Sequence, residues 1–196
     1  MRHIFKIYLL VVTLLILTGC LKDSSACNEI HHLPEATQEG LNTLGFLKNG
    51  DVWVNFGRII ALYSAPAREC EEIDARYFSS GDNQRLNIES CRVISCEKAY
   101  HTRSDLRITI NTADLQEKVY FLDGDQPGQF WYYDRREGII YLNDTINPFK
   151  IEITKFDTNE RIVSGIFNGT LYNENDNTDS LRIIGGRFDA NYLLFN

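Results

Sequence analysis

Acidic side chains in the stretch DGDQPGQFWYYD have a spacing that could serve a cation. Asp123 and Asp125 stand at positions 1 and 3 of a calcium-loop pattern, and Asp134 stands at position 12. Pro127 replaces the oxygen ligand that such a loop needs at position 5, and an aspartate replaces its bidentate glutamate. We therefore interpret the stretch as an acidic turn between strands without metal or other cofactor, and keep calcium at the three aspartates as the alternative.

Aromatic residues follow in the same stretch, and their rings could stack on the face of a sugar. Trp131, Tyr133 and, further along, Tyr141 are the candidates for a ligand-stacking surface. Because neighbouring residues of a strand point to opposite faces, only about half of such a run can face outward together. Packing in the core is the alternative role for these rings.

Four of the five cysteines are candidates for disulfides. Cys27, Cys70, Cys91 and Cys96 form an even set that allows three pairings. Cys91 and Cys96 are close enough in sequence for a local bridge across a turn, and Cys27 could be tied to Cys70. Free buried thiols are the alternative, because spacing does not establish geometry.

The sequence lacks the motifs of common hydrolases and redox proteins. It contains no His-Glu-x-x-His, no Gly-x-Ser-x-Gly and no Cys-x-x-Cys. His31 and His32 are adjacent, and neighbours in sequence rarely meet tetrahedral zinc geometry without other ligands. We therefore predict no catalytic residues.

The fifth cysteine ends a segment that predicts export. Arg2 and Lys6 precede an apolar run that is shorter than the roughly 20 residues a membrane-spanning helix needs. The run ends in Leu17-Thr18-Gly19-Cys20, which resembles the lipobox of bacterial lipoproteins. The resemblance implies that residues 1–19 are removed as a signal peptide and that Cys20 carries the lipid. A plain secretory signal or an uncleaved anchor is the alternative.

The balance of charge excludes some classes of partner. Removal of residues 1–19 takes away two of the 20 Lys and Arg and none of the 27 Asp and Glu, so the net charge falls from -7 to -9. Nucleic acids and anionic lipids need a neutralising basic surface. We expect no nucleic-acid partner, and we expect the membrane to be held through the lipid on Cys20.

The rest of the chain divides into a tether and one domain. Residues 20–40 are polar and broken by Pro34 and Gly40, which predicts a lipid anchor followed by a flexible tether. Residues 41–196 then form a single β domain. Their length suits one hydrophobic core.

Short alternating runs dominate this domain. Asn49-Gly50 between two apolar runs is a strong hairpin signal. The segments DLRITIN, KIEITKF and RIVSGIFNGTLY alternate apolar and polar residues as half-buried strands do. About nine or ten short strands with little helix predict an all-β fold, an antiparallel sandwich or barrel.

Both ends of the domain resemble a group of small uncharacterised lipoproteins from Bacteroidetes-type bacteria. The shared residues at the beginning are Leu33, Pro34, Ala36, Thr37, Gln38, Gly40, Asn42, Thr43, Gly45, Phe46, Leu47, Asn49, Gly50 and Trp53. The closing part, which is ITKFDTNERIVSGIFNGTLYN followed by the run from Gly186 to Asp189, is similar to the ending of the same group. The resemblance implies an all-β envelope lipoprotein of unassigned function, and it implies no reaction.

Together these features predict a lipid-anchored protein of the outer membrane that faces the periplasm or the cell surface. Its role would be non-catalytic binding or scaffolding, with a glycan or an envelope protein as partner. A glycan-acting hydrolase is one alternative and would require two convergent carboxylates. A lipocalin-like carrier is the other, and it predicts a closed barrel with an apolar cavity.

Overall fold

The computed structural model describes residues 32–59, 68–96, 99–124 and 128–195. In these ranges the chain forms thirteen strands and no helix. The strands are β1 (Thr43–Lys48), β2 (Asp51–Val54), β3 (Arg58–Ile59), β4 (Arg68–Glu69), β5 (Asp74–Ser80), β6 (Asn83–Cys96), β7 (Ala99–Thr112), β8 (Val119–Leu122), β9 (Gly128–Asp134), β10 (Ile139–Leu142), β11 (Phe149–Asp157), β12 (Ile162–Asn173) and β13 (Asp176–Phe195). The predicted all-β fold is confirmed, although several strands are longer than predicted. No helix among these residues has the length and apolar character needed to cross a membrane.

Seven of these strands form a closed ring. Strand β13 pairs along most of its length with β12, and its last four residues pair with β5 in the parallel direction. From β5 the ladder continues through β6, β7, β9 and β10, and β10 pairs back onto β12. All pairs other than β13 with β5 are antiparallel. The hydrogen-bonded ladder thus returns to its starting strand, as in a barrel.

Two strand pairs, β1–β2 and β8–β11, complete the wall of the ring where neighbouring strands move apart. Strand β5 spans one half of the gap between β13 and β6, and the β1–β2 hairpin spans the other half. The chain just after the hairpin reaches β6 through a parallel bridge between Phe56 and Arg92. On the far side, β10 fills one half of the gap between β12 and β9, while β11 and β8 fill the other.

Side chains inside the ring form a single apolar cluster. Its largest fully buried members are Trp53, Tyr132, Phe46, Phe130, Phe149 and Phe167. Their rings contact one another, and the centroids of Phe130 and Phe149 lie 4.3 Å apart. Aromatic side chains thus fill the space enclosed by the strands. The lipocalin-like alternative requires an apolar cavity in that space, so this packing does not support it.

Glycines leave room for two of these aromatic rings. A side chain on Gly186 would lie 2.2 Å from the ring of Phe167, and one on Gly169 would lie 2.5 Å from the ring of Phe149. Such distances are well inside van der Waals contact. The glycines of β12 and β13 therefore permit the dense packing of the core.

The chain before β1 is packed against the outside of the ring and is centred on Asp189. This carboxylate accepts hydrogen bonds from the hydroxyls of Thr37 and Ser164 and from the backbone amides of Glu39, Gly40 and Leu41. Its exposed fraction is only 1%. The predicted tether of residues 20–40 is therefore wrong over its last part, because hydrogen bonds hold residues 37–40 to β13.

One disulfide holds the segment before β5 against the outside of β6. Cys70 and Cys91 are bonded, with their Cα atoms 4.9 Å apart, and both are buried. The two pairings considered from the sequence, Cys91 with Cys96 and Cys27 with Cys70, are therefore wrong, because each needs a sulfur that this bond uses. Cys20, Cys27 and the side chain of Cys96 lie outside the described part of the structure.

Candidate functional site

A cavity of about 220 Å³ opens at one end of the ring. It lies where the β1–β2 and β9–β10 turns approach the end of β6 and the start of β7. The lining residues are Lys48, Trp53, Arg92, Ile94, Thr102, Arg103, Ser104, Tyr132, Asp134, Arg136 and Glu137. We call this space the end cavity.

The aromatic part of the end cavity is an extension of the core. Trp53 and Tyr132 are almost completely buried, and the ring of Phe46 stacks on Trp53 at a centroid distance of 4.8 Å. The indole nitrogen of Trp53 donates a hydrogen bond to the hydroxyl oxygen of Ser104 at 2.7 Å. This bond satisfies the indole N–H in an otherwise apolar place and fixes the orientation of the ring.

A lysine and an aspartate lie beside this aromatic part. The ammonium of Lys48 is 3.4 Å from the hydroxyl oxygen of Tyr132 and 3.7 Å from a carboxylate oxygen of Asp134. The other carboxylate oxygen of Asp134 accepts the backbone amides of Arg136 and Glu137 in the β9–β10 turn. The turn thus holds Asp134 in place, and Asp134 in turn positions Lys48 at the cavity.

A shared carboxylate connects the end cavity to the outside of the ring. The guanidinium of Arg103 donates two hydrogen bonds to one oxygen of Asp105, at 3.0 and 2.7 Å. Arg135 donates to the other oxygen. Asp105 has an exposed fraction of 6%, so two cations converge on one nearly buried anion. We call these three residues the arginine bridge.

On the outer face beyond the arginine bridge lie two of the predicted stacking residues. Trp131 and Tyr133 are half-buried, and their ring centroids are 5.8 Å apart with the planes inclined by 48°. The guanidinium of Arg107 lies 5.7 Å from the ring centre of Trp131, and that of Arg135 lies 4.9 Å from the ring centre of Tyr133. An arginine therefore lies over each ring.

The third predicted stacking residue, Tyr141, lies elsewhere. It is paired across strands with Tyr132, so it faces the inside of the ring, opposite to Trp131 and Tyr133. Its hydroxyl donates to Asp179 at 3.0 Å. Burial, together with this hydrogen bond and the nearby negative charge, raises the pKa of Tyr141 to about 12. The predicted three-ring surface is wrong in this member, because the alternation of the strand decides which ring faces outward.

The calcium alternative is not supported by the positions of its aspartates. Asp123 precedes β9 and Asp134 ends it, and the seven residues of that strand span about 20 Å. Asp125 lies outside the described residues. Among the residues that the structure describes, no group of three or more His, Cys, Asp or Glu side chains is placed to hold a metal ion.

Sequence reasoning missed the cations of this end of the ring. Four cations and two carboxylates line the end cavity, in a chain whose overall charge is -7. The arginine pair in DRREG, at a turn between two aromatic strands, is the local signal that could have indicated them. The other cations are far from this pair in the sequence, and only strand pairing brings them together.

Comparison with protein families finds a match. A family described as a domain of unknown function, DUF5025, matches residues 89–191. The matched part begins in β6, ends in β13, and includes the arginine bridge and Asp189. No curated protein and no solved structure matched the chain. Because the matched residues make up more than half of the sequence, this chain belongs to the DUF5025 family of domains of unknown function.

Proposed function

We propose that this protein is a lipid-anchored protein of the bacterial outer membrane that binds a glycan without acting on it. The end cavity carries this proposal, because it combines buried aromatic rings with charged and hydroxyl groups at its rim. Charged and hydroxyl groups of this kind can bind the hydroxyls of a sugar in a concave site, and the nearly buried Trp53 and Tyr132 form the apolar floor beneath them.

The carboxylates of the end cavity favour binding over hydrolysis. A glycosidase needs one buried acid and one positioned base or nucleophile on opposite sides of the sugar. Asp134 is held by the amides of its own turn, and Glu137 has a side chain that is 58% exposed and lies 3.4 Å from Arg136. Neither side chain has the buried environment of a proton donor.

The anchoring part of the proposal rests on the sequence before the described residues. An export signal that ends in Leu-Thr-Gly-Cys is typical of lipoproteins, and two or three acyl chains hold a protein firmly in a bilayer. The net charge of -9 on the mature chain does not favour electrostatic attachment to anionic lipid. The lipid on Cys20 would therefore supply the attachment.

Intrinsic fluorescence offers a direct test of glycan binding. The chain contains two tryptophans, Trp53 and Trp131; one lines the end cavity and the other lies beyond the arginine bridge. We expect a saturable change in fluorescence with members of an oligosaccharide library, and Trp131→Phe to isolate the response of Trp53.

The matched control is Phe121→Ala, which removes an exposed aromatic ring from β8. It should leave the titration unchanged. Release of new reducing ends during incubation would assign the hydrolase alternative instead, and the absence of any response across the library would contradict the proposal.

Mass measurement tests the anchor. The protein extracted from membranes should begin at Cys20 and carry the added mass of the lipid. The Cys20→Ala variant should leave the membrane fraction. An unmodified Cys20, or a chain that still begins at Met1, would contradict this part of the proposal.

A further inference from the structure

We infer that the glycan bound at the end cavity is acidic, with a carboxylate or a sulfate group on the sugar that enters the cavity. The inference rests on the proposed function and names the chemical class of its ligand. Three observations carry it: the local charge, the state of the aromatic faces, and the size of the cavity.

The charge of the site is opposite to that of the whole chain. Lys48, Arg92, Arg103 and Arg136 line the cavity, against Asp134 and Glu137. These six side chains carry an excess of two positive charges. Arg135 and Asp105 of the arginine bridge add one charge of each sign, so the excess stays at two. In a concave site the field of such charges is concentrated, and an anion is attracted even to a protein with a net charge of -7.

The aromatic rings near the cavity are not open platforms for a neutral sugar. Arg107 and Arg135 already lie over the faces of Trp131 and Tyr133. A neutral sugar that stacked there would have to displace a guanidinium. A carboxylate or sulfate instead pairs with the edge of a guanidinium while that group stays on its ring.

The size of the cavity limits what enters it. Sites for drug-sized ligands are usually about 300–1,000 Å³, and the end cavity has about 220 Å³. It therefore accepts one sugar unit, with the rest of the chain extending outward. The adjoining space beside Trp131 is lined by three arginines and two carboxylates, so it keeps an excess of one positive charge: Arg103, Arg107 and Arg135 against Glu89 and Asp105.

The test compares three probes on the mature, lipidated protein in detergent: a trimer of galacturonic acid, a sulfated disaccharide, and a neutral trimer of galactose. We expect the acidic probes to bind and the neutral trimer to bind at least about tenfold more weakly. Binding of the acidic probes should weaken as salt is raised from about 0.05 to about 0.5 M, because rim charges are screened. Binding of the galacturonic acid trimer would identify a sugar carboxylate as the recognised anion, and binding of the sulfated disaccharide would identify a sulfate.

Arg136→Gln supplies the variant, because the side chain of Arg136 is 68% exposed and its loss should not impair folding. We expect it to weaken binding of the acidic probes about fivefold and to weaken binding of the neutral trimer less. Arg103→Gln should have a larger effect. Arg85→Gln is the matched control, since Arg85 lies over Phe78 at the beginning of β6, away from the cavity.

The outcomes separate the inference from the proposed function. Equal binding of the neutral and acidic trimers, or binding that is insensitive to salt and to Arg136→Gln, would overturn the inference and leave glycan binding in place. If none of the three probes binds while another neutral glycan does, the inference also falls. If no glycan of any class binds, both fall.

Discussion

Two nearly buried aspartates on the outside of the ring, Asp189 and Asp105, have opposite surroundings. Asp189 accepts five hydrogen bonds, all from neutral hydroxyls and backbone amides. Asp105 accepts its hydrogen bonds from two arginines whose side chains are 26% and 43% exposed.

The difference separates a structural carboxylate from one that shapes a binding surface. Neutral donors stabilise the charge of Asp189 locally and order the chain that supplies them. Two arginines around Asp105 leave one unit of positive charge in excess beside the end cavity, which Arg103 lines. Stability should therefore depend mainly on Asp189, and recognition of an anion mainly on the surroundings of Asp105.

The largest effect should come from Asp189→Ala. It leaves the buried hydroxyl of Ser164 and the amide of Gly40 without their acceptor and releases the chain before β1. We expect a loss of about 3–5 kcal/mol in the free energy of unfolding, measured by urea denaturation. Asp176→Asn, at an exposed turn, is the control and should cost little. An Asp189 variant of unchanged stability would refute the structural role.

The disulfide between Cys70 and Cys91 is a covalent link whose effect on the free energy of unfolding can be compared with the effect of Asp189. It closes a loop with a sequence separation of 21 residues, so its removal in the double variant Cys70→Ala, Cys91→Ala should cost about 3 kcal/mol. The measurement is urea denaturation with and without a reducing agent. Reduction should destabilise the original protein and leave the double variant unchanged. Equal sensitivity of both proteins would show that this bond does not anchor the segment.

Asp105→Asn should separate stability from binding. We expect a cost of about 1–3 kcal/mol, below that of Asp189→Ala, because the amide keeps an acceptor oxygen and the partly exposed arginines can turn toward water. The same change removes a negative charge beside the end cavity, so acidic glycans should bind more tightly, which the fluorescence titration would measure. Asp74→Asn breaks the exposed pair with Arg76 on β5 and serves as the matched control. Weaker binding of acidic glycans by the Asp105→Asn variant would contradict the role in anion recognition assigned to the surroundings of Asp105.

Acid should produce the smallest effect, because a protonated Asp189 still offers an acceptor oxygen. Burial acts to raise the pKa of Asp189, but the hydrogen bonds from Thr37, Ser164 and the amides outweigh it, and the pKa is lowered. The folded protein then binds fewer protons than the unfolded chain as the pH falls below about 4. Stability should decrease through this range, and Asp189→Asn should flatten the decrease in urea midpoints measured between pH 5 and pH 2.

Local signals predicted the strands well and their assembly only in part. The turn at Asn49-Gly50 forms as predicted, with φ of 51° and 99°. The alternating runs lie in β7, β11 and β12, apart from Arg161, which precedes β12. The tether was predicted too long. Nothing in residues 33–40 indicates that their backbone amides donate hydrogen bonds to Asp189, about 150 positions later.

The candidate site was predicted less well than the fold. Trp131 and Tyr133 share a surface, as i and i+2 positions of one strand must. Tyr141 was assigned to the wrong face because the phase of a neighbouring strand depends on its register, which the sequence does not state. The cations of the end cavity come from separate strands and turns, so no local sequence pattern predicts that they lie together.

The sequence by itself determined the all-β class, the hairpins and the apolar alternation, because these depend on neighbours a few residues apart. It also supplied the basis for the proposed export and lipidation. Only the tertiary structure decided that the strands close into a ring, that Cys70 pairs with Cys91, and that Lys48, Arg103 and Arg136 surround one cavity. These features depend on long-range pairing and register, in which residues far apart in the chain meet through the packing of a common core.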